Sequence, residues 1–165
     1  MDEAVQVIRL LTAQGKTLAT AESCTGGLLG KLLTDVPGAS AVYLGGVISY
    51  AYEVKEKLLG VDAEVLREKG AVCEEVALQM AQGARQRFGA GFALSTTGNA
   101  GPGADEKNPN VGEIYVALAD QSGSLCRKLT LHGNREENRL EACKAAMRLL
   151  LERCNSSEGK CSLLP

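Results

Sequence analysis

Ser23 is the first residue whose surroundings suggest chemistry. It lies in the stretch TLATAESCTGG, residues 17–27, where a short apolar segment ends in a glutamate and a serine and two glycines follow. A serine at such a strand-to-helix turn is either a helix cap or a nucleophile beside exposed backbone N–H groups. Because Ser and Thr are common caps, the spacing alone favours a cap, with Thr25 as the alternative capping residue. A catalytic serine would also need a base, since its hydroxyl is a weak nucleophile.

A tyrosine and a lysine follow in SYAYEVK, at the end of the next apolar segment. Tyr50 ends a predicted strand, where a half-buried aromatic residue is ordinary. Lys55 lies in a charged cluster that is typical of a solvated helix face. His132 is the only histidine and lies far along the chain, so a lysine held in its neutral form is the natural base for a serine.

A second glycine-rich stretch, GNAGPGADEKNPN, begins at Gly98 and also follows a predicted strand. Ligands of open α/β sheets bind beyond the carboxyl ends of the strands, so we expect this loop to line the same pocket as Ser23. Neither stretch has a nucleotide-binding fingerprint, because the first lacks GxxxxGK[ST] and the second lacks GxGxxG. The residues of this loop region expected to face the ligand are Thr97, Gly98, Asn99, Ala100 and Gly101.

The composition excludes several classes of protein. A length of 165 residues suits one domain, and a formal net charge of −2 argues against a basic nucleic-acid surface. No apolar run approaches the roughly 20 residues of a membrane span. The N-terminal MDEAVQVIRLL is acidic where a signal peptide would be basic. Six cysteines without a CxxC pair and a single histidine offer no zinc ligand set. We therefore predict a cytoplasmic, metal-free domain that binds neither nucleic acid nor membrane, and we expect a homo-oligomer.

The hydrophobic pattern predicts helices that alternate with strands, followed by a hairpin. This order indicates an α/β domain of three layers, α/β/α, with a mixed β-sheet. The domain is predicted over residues 1–154, and residues 155–165 are predicted to form a flexible tail. Helices are predicted over 2–14 and 74–88, one begins at Leu28, and two short ones end before Gly60 and Gly70. The last predicted helix begins at a capping box formed by Asn134 and Glu137 and runs to Cys154. Strands are predicted over 17–21, over 42–50 as a buried strand, over 92–97 and on both sides of a turn at 121–123.

Five motifs together resemble one known family. ATAESCTGG, SYAYEVK preceding LLGV, GAVCEEVA, STTGNAGPG and VGEIYVAL occur in this order in the C-terminal domain of CinA, the competence/damage-inducible protein. Stand-alone bacterial nicotinamide-nucleotide amidohydrolases share that domain. The similarity extends from near the start of the chain to the last predicted helix.

The resemblance implies deamidation of nicotinamide mononucleotide to nicotinate mononucleotide, without a cofactor. By motif position, the family's catalytic serine, tyrosine and lysine fall on Ser23, Tyr50 and Lys55. Tyr50 would relay the proton or orient the lysine. The backbone of Thr25, Gly26 and Gly27 would bind the oxyanion, because the following helix directs its positive end there.

The chain departs from the family pattern at the second loop and in SYAYEVK. Asn99 replaces an apolar residue, Gly103-Ala104-Asp105 lacks the family's paired glycines, and Tyr52 stands where asparagine is common. The alternative function is a non-catalytic module that binds pyridine nucleotides or a partner with the same fold. A short-chain dehydrogenase is excluded, because neither Tyr50 nor Tyr52 is spaced YxxxK from Lys55.

Overall fold

A five-stranded sheet forms the centre of the structure, a computed structural model that describes residues 2–161. The strand order is β2-β1-β3-β4-β5. β1 pairs in parallel with both β2 and β3, and β3–β4 and β4–β5 are antiparallel. The mixed sheet is as predicted. The strands are β1 Leu18–Glu22, β2 Tyr43–Ile48, β3 Phe92–Gly98, β4 Glu113–Asp120 and β5 Gly123–Thr130.

Helices cover both faces of this sheet, which confirms the α/β class. On one face α1, α2 and α6 enclose an apolar core that includes Leu11, Leu29 and Leu150. On the other face the core includes Leu59, Leu66 and Met80 of α3, α4 and α5. No helix within residues 2–161 is both long and apolar enough to cross a membrane. The helices are α1 Glu3–Gln14, α2 Leu28–Thr34, α3 Tyr52–Leu59, α4 Ala63–Lys69, α5 Glu74–Phe88 and α6 Arg135–Cys161.

Strand β2 differs from its prediction as a buried strand. It lies at the edge of the described sheet, next to β1, and exposed and half-buried residues alternate along it. Leu44 and Ile48 are exposed. An uninterrupted apolar run suits a strand covered on both faces, but the run itself does not encode the position of the strand in the sheet.

Helix α6 begins where the sequence indicates and ends later. The capping box is confirmed, because the Glu137 N–H donates to Asn134 Oδ1 at 3.0 Å and the Asn134 N–H donates to Glu137 Oε2 at 2.9 Å. The helix continues past Cys154 to Cys161, so the first part of the predicted tail is helical. Residues 162–165 of that segment lie outside the described residues.

Candidate active site

The carboxyl ends of the three parallel strands converge on one cavity of about 380 Å³. Ser23 directly follows β1, Tyr50 lies just beyond β2, and Gly98 ends β3. This is the edge at which ligands of α/β sheets bind, and the volume is within the range of small-molecule sites. The lining consists of Ser23, Cys24, Tyr50, Tyr52, Lys55, Ala71, Val72, Thr97, Gly98, Asn99, Ala100, Gly103, Ala104, Asp105 and Arg135.

Lys55 is completely buried and points at Ser23. Its Nζ lies 2.7 Å from Ser23 Oγ, 2.5 Å from the carbonyl oxygen of Ser49 and 3.3 Å from that of Tyr50. The side chain is 0% exposed, although its neighbours Glu56 and Lys57 in the same charged cluster are exposed. The structure therefore brings Ser23 and Lys55 together and excludes the solvated-face interpretation of Lys55.

The Lys55 amine donates all three bonds, to the Ser23 hydroxyl oxygen and to the two carbonyl oxygens. After losing a proton it keeps two N–H donors for the carbonyl groups, and its lone pair can then face the Ser23 hydroxyl. Burial lowers the Lys55 pKa from its ordinary value to about 8. Burial also raises the pKa of the adjacent Cys24 thiol to about 12, so no thiolate forms at neutral pH to oppose this effect. Lys55 can therefore accept the Ser23 proton near neutral pH.

The Tyr50 side chain does not lie between Ser23 and Lys55, where a proton relay would have to be. It is 62% exposed, and its hydroxyl accepts a hydrogen bond from Arg135 Nη2 at 3.2 Å. Only the backbone carbonyl of Tyr50 contacts the Lys55 amine. Tyr50 thus orients Lys55 through its main chain, while its ring lines the cavity beyond the buried pair.

Thr25, Gly26 and Gly27, the expected oxyanion site, are not among the residues that line the cavity. Glu22, which is 2% exposed, occupies the start of α2 instead: its Oε1 accepts from the Leu29 N–H at 2.6 Å and from the Thr25 hydroxyl at 2.8 Å. The positive end of the helix is therefore neutralised inside the protein. Neither Ser23 nor Thr25 caps the helix.

Removing the Glu22 carboxylate should destabilise the protein. We expect Glu22→Ala to lower the free energy of unfolding by about 1–3 kcal/mol, because buried donors at the start of α2 lose their acceptor. Urea unfolding measures the change. Glu56→Ala, at an exposed position, should shift stability by no more than about 0.5 kcal/mol. An unchanged urea midpoint for Glu22→Ala would contradict this role of the carboxylate.

The second glycine-rich loop lies at the same cavity as Ser23, and Thr97, Gly98, Asn99 and Ala100 contribute to its wall. Gly101 is not part of the lining, but its carbonyl oxygen accepts from Arg135 Nη1 at 2.8 Å.

The side chains of Thr97 and Asn99 serve the protein itself. The Thr97 hydroxyl donates to the Ala71 carbonyl at 2.7 Å, so this hydrogen is not directed at a ligand. Asn99 Nδ2 donates to the carbonyl oxygens of Asn108 and Asn110, and its Oδ1 accepts from the Asp105 N–H at 2.8 Å. Asn99 therefore shapes the loop.

Arg135 is a cavity residue that the sequence analysis missed. It is the first residue of α6, and its guanidinium group joins the Gly101 carbonyl to the Tyr50 hydroxyl at the cavity. The capping box identifies the start of this helix, but sequence spacing does not show that this start lies beside the cavity after the hairpin of β4 and β5.

A comparison with family models decides the relationship of the chain to known proteins. The model of the CinA C-terminal domain matches residues 2–154. The chain belongs to this family. A CinA-like protein of Geotalea uraniireducens is 46% identical over 147 residues, and one of Frankia casuarinae is 48% identical over 144 residues. These matches cover 89% and 87% of the chain but only 35% and 33% of the relatives, so the chain spans about a third of their length.

Solved CinA structures share the fold. The competence/damage inducible protein CihA of Agrobacterium tumefaciens is 38% identical with a TM-score of 0.87, covering 91% of this chain and 92% of that one. The competence damage-inducible protein A of Klebsiella pneumoniae is 31% identical with a TM-score of 0.89, covering 93% and 95%. The resemblance to CinA is thus confirmed in sequence and in fold.

Proposed function

We propose that this chain hydrolyses the carboxamide of nicotinamide mononucleotide, with Ser23 as nucleophile and Lys55 as base. The products are nicotinate mononucleotide and ammonia. The observation that carries the proposal is the fully buried Lys55 amine 2.7 Å from the Ser23 hydroxyl. The choice of substrate rests on the family resemblance, and a cavity of about 380 Å³ suits a mononucleotide.

The same pair favours an enzyme over a binding module. Burying an amine opposes folding, because the charged form loses its hydration. A site that only binds a nucleotide has no need for a lysine whose pKa burial lowers to about 8. A nucleophilic serine needs just such a base, since catalysis is most effective when the pKa of the base is near the working pH.

The first half of the reaction forms an ester. As Ser23 Oγ attacks the carboxamide carbon, its proton moves to the Lys55 Nζ. The carbon–nitrogen bond of the tetrahedral intermediate then breaks. Lys55 returns the proton to the departing nitrogen, which leaves as ammonia. The nicotinoyl group remains on Ser23 as an ester, and Lys55 is neutral again.

Water completes the cycle at the same carbon. Lys55 takes a proton from the attacking water, the ester bond breaks, and the proton passes from Lys55 to the Ser23 oxygen. We assign the oxyanion to the N–H of Cys24, the residue that directly follows the nucleophile and is part of the cavity lining. In serine hydrolases with a strand–turn–helix nucleophile the residue after the serine supplies this donor.

Arg135 is the exposed cation of the cavity, and we assign it to the substrate phosphate. We expect Arg135→Gln to raise the KM for nicotinamide mononucleotide at least about tenfold with little change in kcat, because the contact is remote from the reacting bond. Steady-state kinetics measure both constants, and Arg67→Gln on α4 is the matched surface control. With nicotinamide riboside, which has no phosphate, the effect should disappear. An equal loss with both substrates would contradict phosphate binding.

A panel of amides tests the proposed substrate. Ammonia release is compared for nicotinamide mononucleotide, nicotinamide riboside, free nicotinamide and glutamine. The mononucleotide should have the highest kcat/KM, since it alone offers both the pyridine carboxamide and the phosphate. Faster release from glutamine would overturn the assignment of the substrate while retaining an amidohydrolase.

A further inference from the structure

Tyr52 and Asp105 form a hydrogen-bonded pair at the cavity. Tyr52, the first residue of α3, donates its hydroxyl proton to Asp105 Oδ2 and accepts a hydrogen bond from the Ala71 N–H at 3.2 Å. Asp105 Oδ1 accepts from the Lys107 N–H at 2.9 Å. Both side chains line the cavity, so the pair fixes a carboxylate in its wall.

This carboxylate gives the cavity a defined charge pattern. Among the described residues that line the cavity, Asp105 is the only acidic one, and the cations are the buried Lys55 and the exposed Arg135. The Asp105 charge influences Lys55. Burial, the largest effect, lowers the Lys55 pKa, and the negative charge of Asp105 raises it. Burial and the bond to Asp105 raise the Tyr52 pKa to about 12, so Tyr52 remains a donor at neutral pH.

Asp105 also keeps capacity for a ligand. Each of its oxygens accepts one of the bonds described above, and a carboxylate offers about four acceptor sites. A ligand with a phosphate group at Arg135 and a positive charge near Asp105 would be complementary to both charges. The pyridinium ring of nicotinamide mononucleotide is such a cation.

We propose that Asp105, held by Tyr52, determines specificity by recognising the positive charge of an N-substituted pyridinium ring. The inference rests on the proposed function and adds a selective element to it. Because hydrolysis puts a carboxylate on the same ring, the Asp105 charge favours the bound substrate over the bound product. Asp105 takes no part in bond breaking.

Binding in the Ser23→Ala background, which blocks turnover, tests the charge directly. Calorimetry compares nicotinamide mononucleotide with its reduced 1,4-dihydro form, which keeps the carboxamide, ribose and phosphate but has a neutral ring. We expect Asp105→Asn to weaken binding of the cationic form about tenfold and of the reduced form less than about twofold. Tyr52→Phe should weaken only the cationic form, to a smaller extent. Glu106→Gln, which removes the same charge one residue outside the cavity lining, should change neither.

Each other outcome overturns the inference. Equal weakening of both ligands would mean that Asp105 binds the ribose hydroxyls or only holds the loop. Unchanged affinities would exclude a role of the Asp105 charge in binding. The same holds if the mononucleotide does not bind to the Ser23→Ala chain. The proposed deamidation is tested separately, because the binding comparison requires no turnover. It would be contradicted if the wild-type chain released no ammonia.

Discussion

We expect Ser23→Ala to reduce the proposed deamidation of nicotinamide mononucleotide by at least about 10³-fold, because the variant has no oxygen to attack the carboxamide carbon. Folding should be little affected. The Lys55 amine keeps the carbonyl oxygens of Ser49 and Tyr50 as partners, so the stability loss should stay near about 1 kcal/mol. Substrate affinity should persist. Ammonia release, thermal unfolding and calorimetric binding measure the three quantities.

Ser95→Ala is the matched control for this experiment. Ser95 is also buried and hydrogen-bonded, to the Ala77 carbonyl at 2.6 Å, but it lies outside the cavity. Its substitution should lower stability by about 1 kcal/mol, as expected for Ser23→Ala, but should leave kcat unchanged. If Ser23→Ala retains most of its turnover, Ser23 is not the nucleophile.

Lys55→Arg should be nearly inactive, because a guanidinium group does not lose its proton at any working pH. In the wild-type chain the base must be neutral, so kcat/KM should rise with pH through the lowered pKa of about 8 and then level off. Below that pKa the protonated amine has no lone pair for the Ser23 proton. The pH profile of kcat/KM for both chains tests the two statements.

Lys57→Arg serves as the control, since Lys57 is exposed on the same helix. It should keep both the rate and the pH profile of the wild type. Comparable activity of Lys55→Arg and wild type, or a profile that is flat between pH 6 and 9, would remove Lys55 from the mechanism.

Local sequence patterns were sufficient to predict most of the elements. Helix α5 has the predicted bounds, and the glycines at 15, 60 and 70 follow the ends of α1, α3 and α4 as expected. The placement of Ser23 near the second glycine-rich loop also followed from the order of strands and loops. These features depend on short-range periodicity, capping and the common edge at which parallel strands end.

The electrostatic partners in the site depend on longer-range geometry. The first glycine-rich turn suggested that the N–H groups at the start of α2 are free for a ligand. In the structure the Glu22 carboxylate accepts a hydrogen bond from one of them, the Leu29 N–H. Tyr50 was expected beside Lys55, whereas the edge position of β2 leaves its ring in solvent next to Arg135. Tyr52 and Asp105 are far apart in sequence, and only the folded chain places their side chains in contact.

The most direct measurement is the yield of ammonia from nicotinamide mononucleotide with the purified chain, with Ser23→Ala as the blank. We expect equimolar ammonia and nicotinate mononucleotide, formed catalytically by the wild type at pH 8 and not by the variant. Binding of the mononucleotide without ammonia release would contradict the proposed deamidation and favour a non-catalytic nucleotide-binding module. Equal release by wild type and Ser23→Ala would contradict the Ser23–Lys55 mechanism.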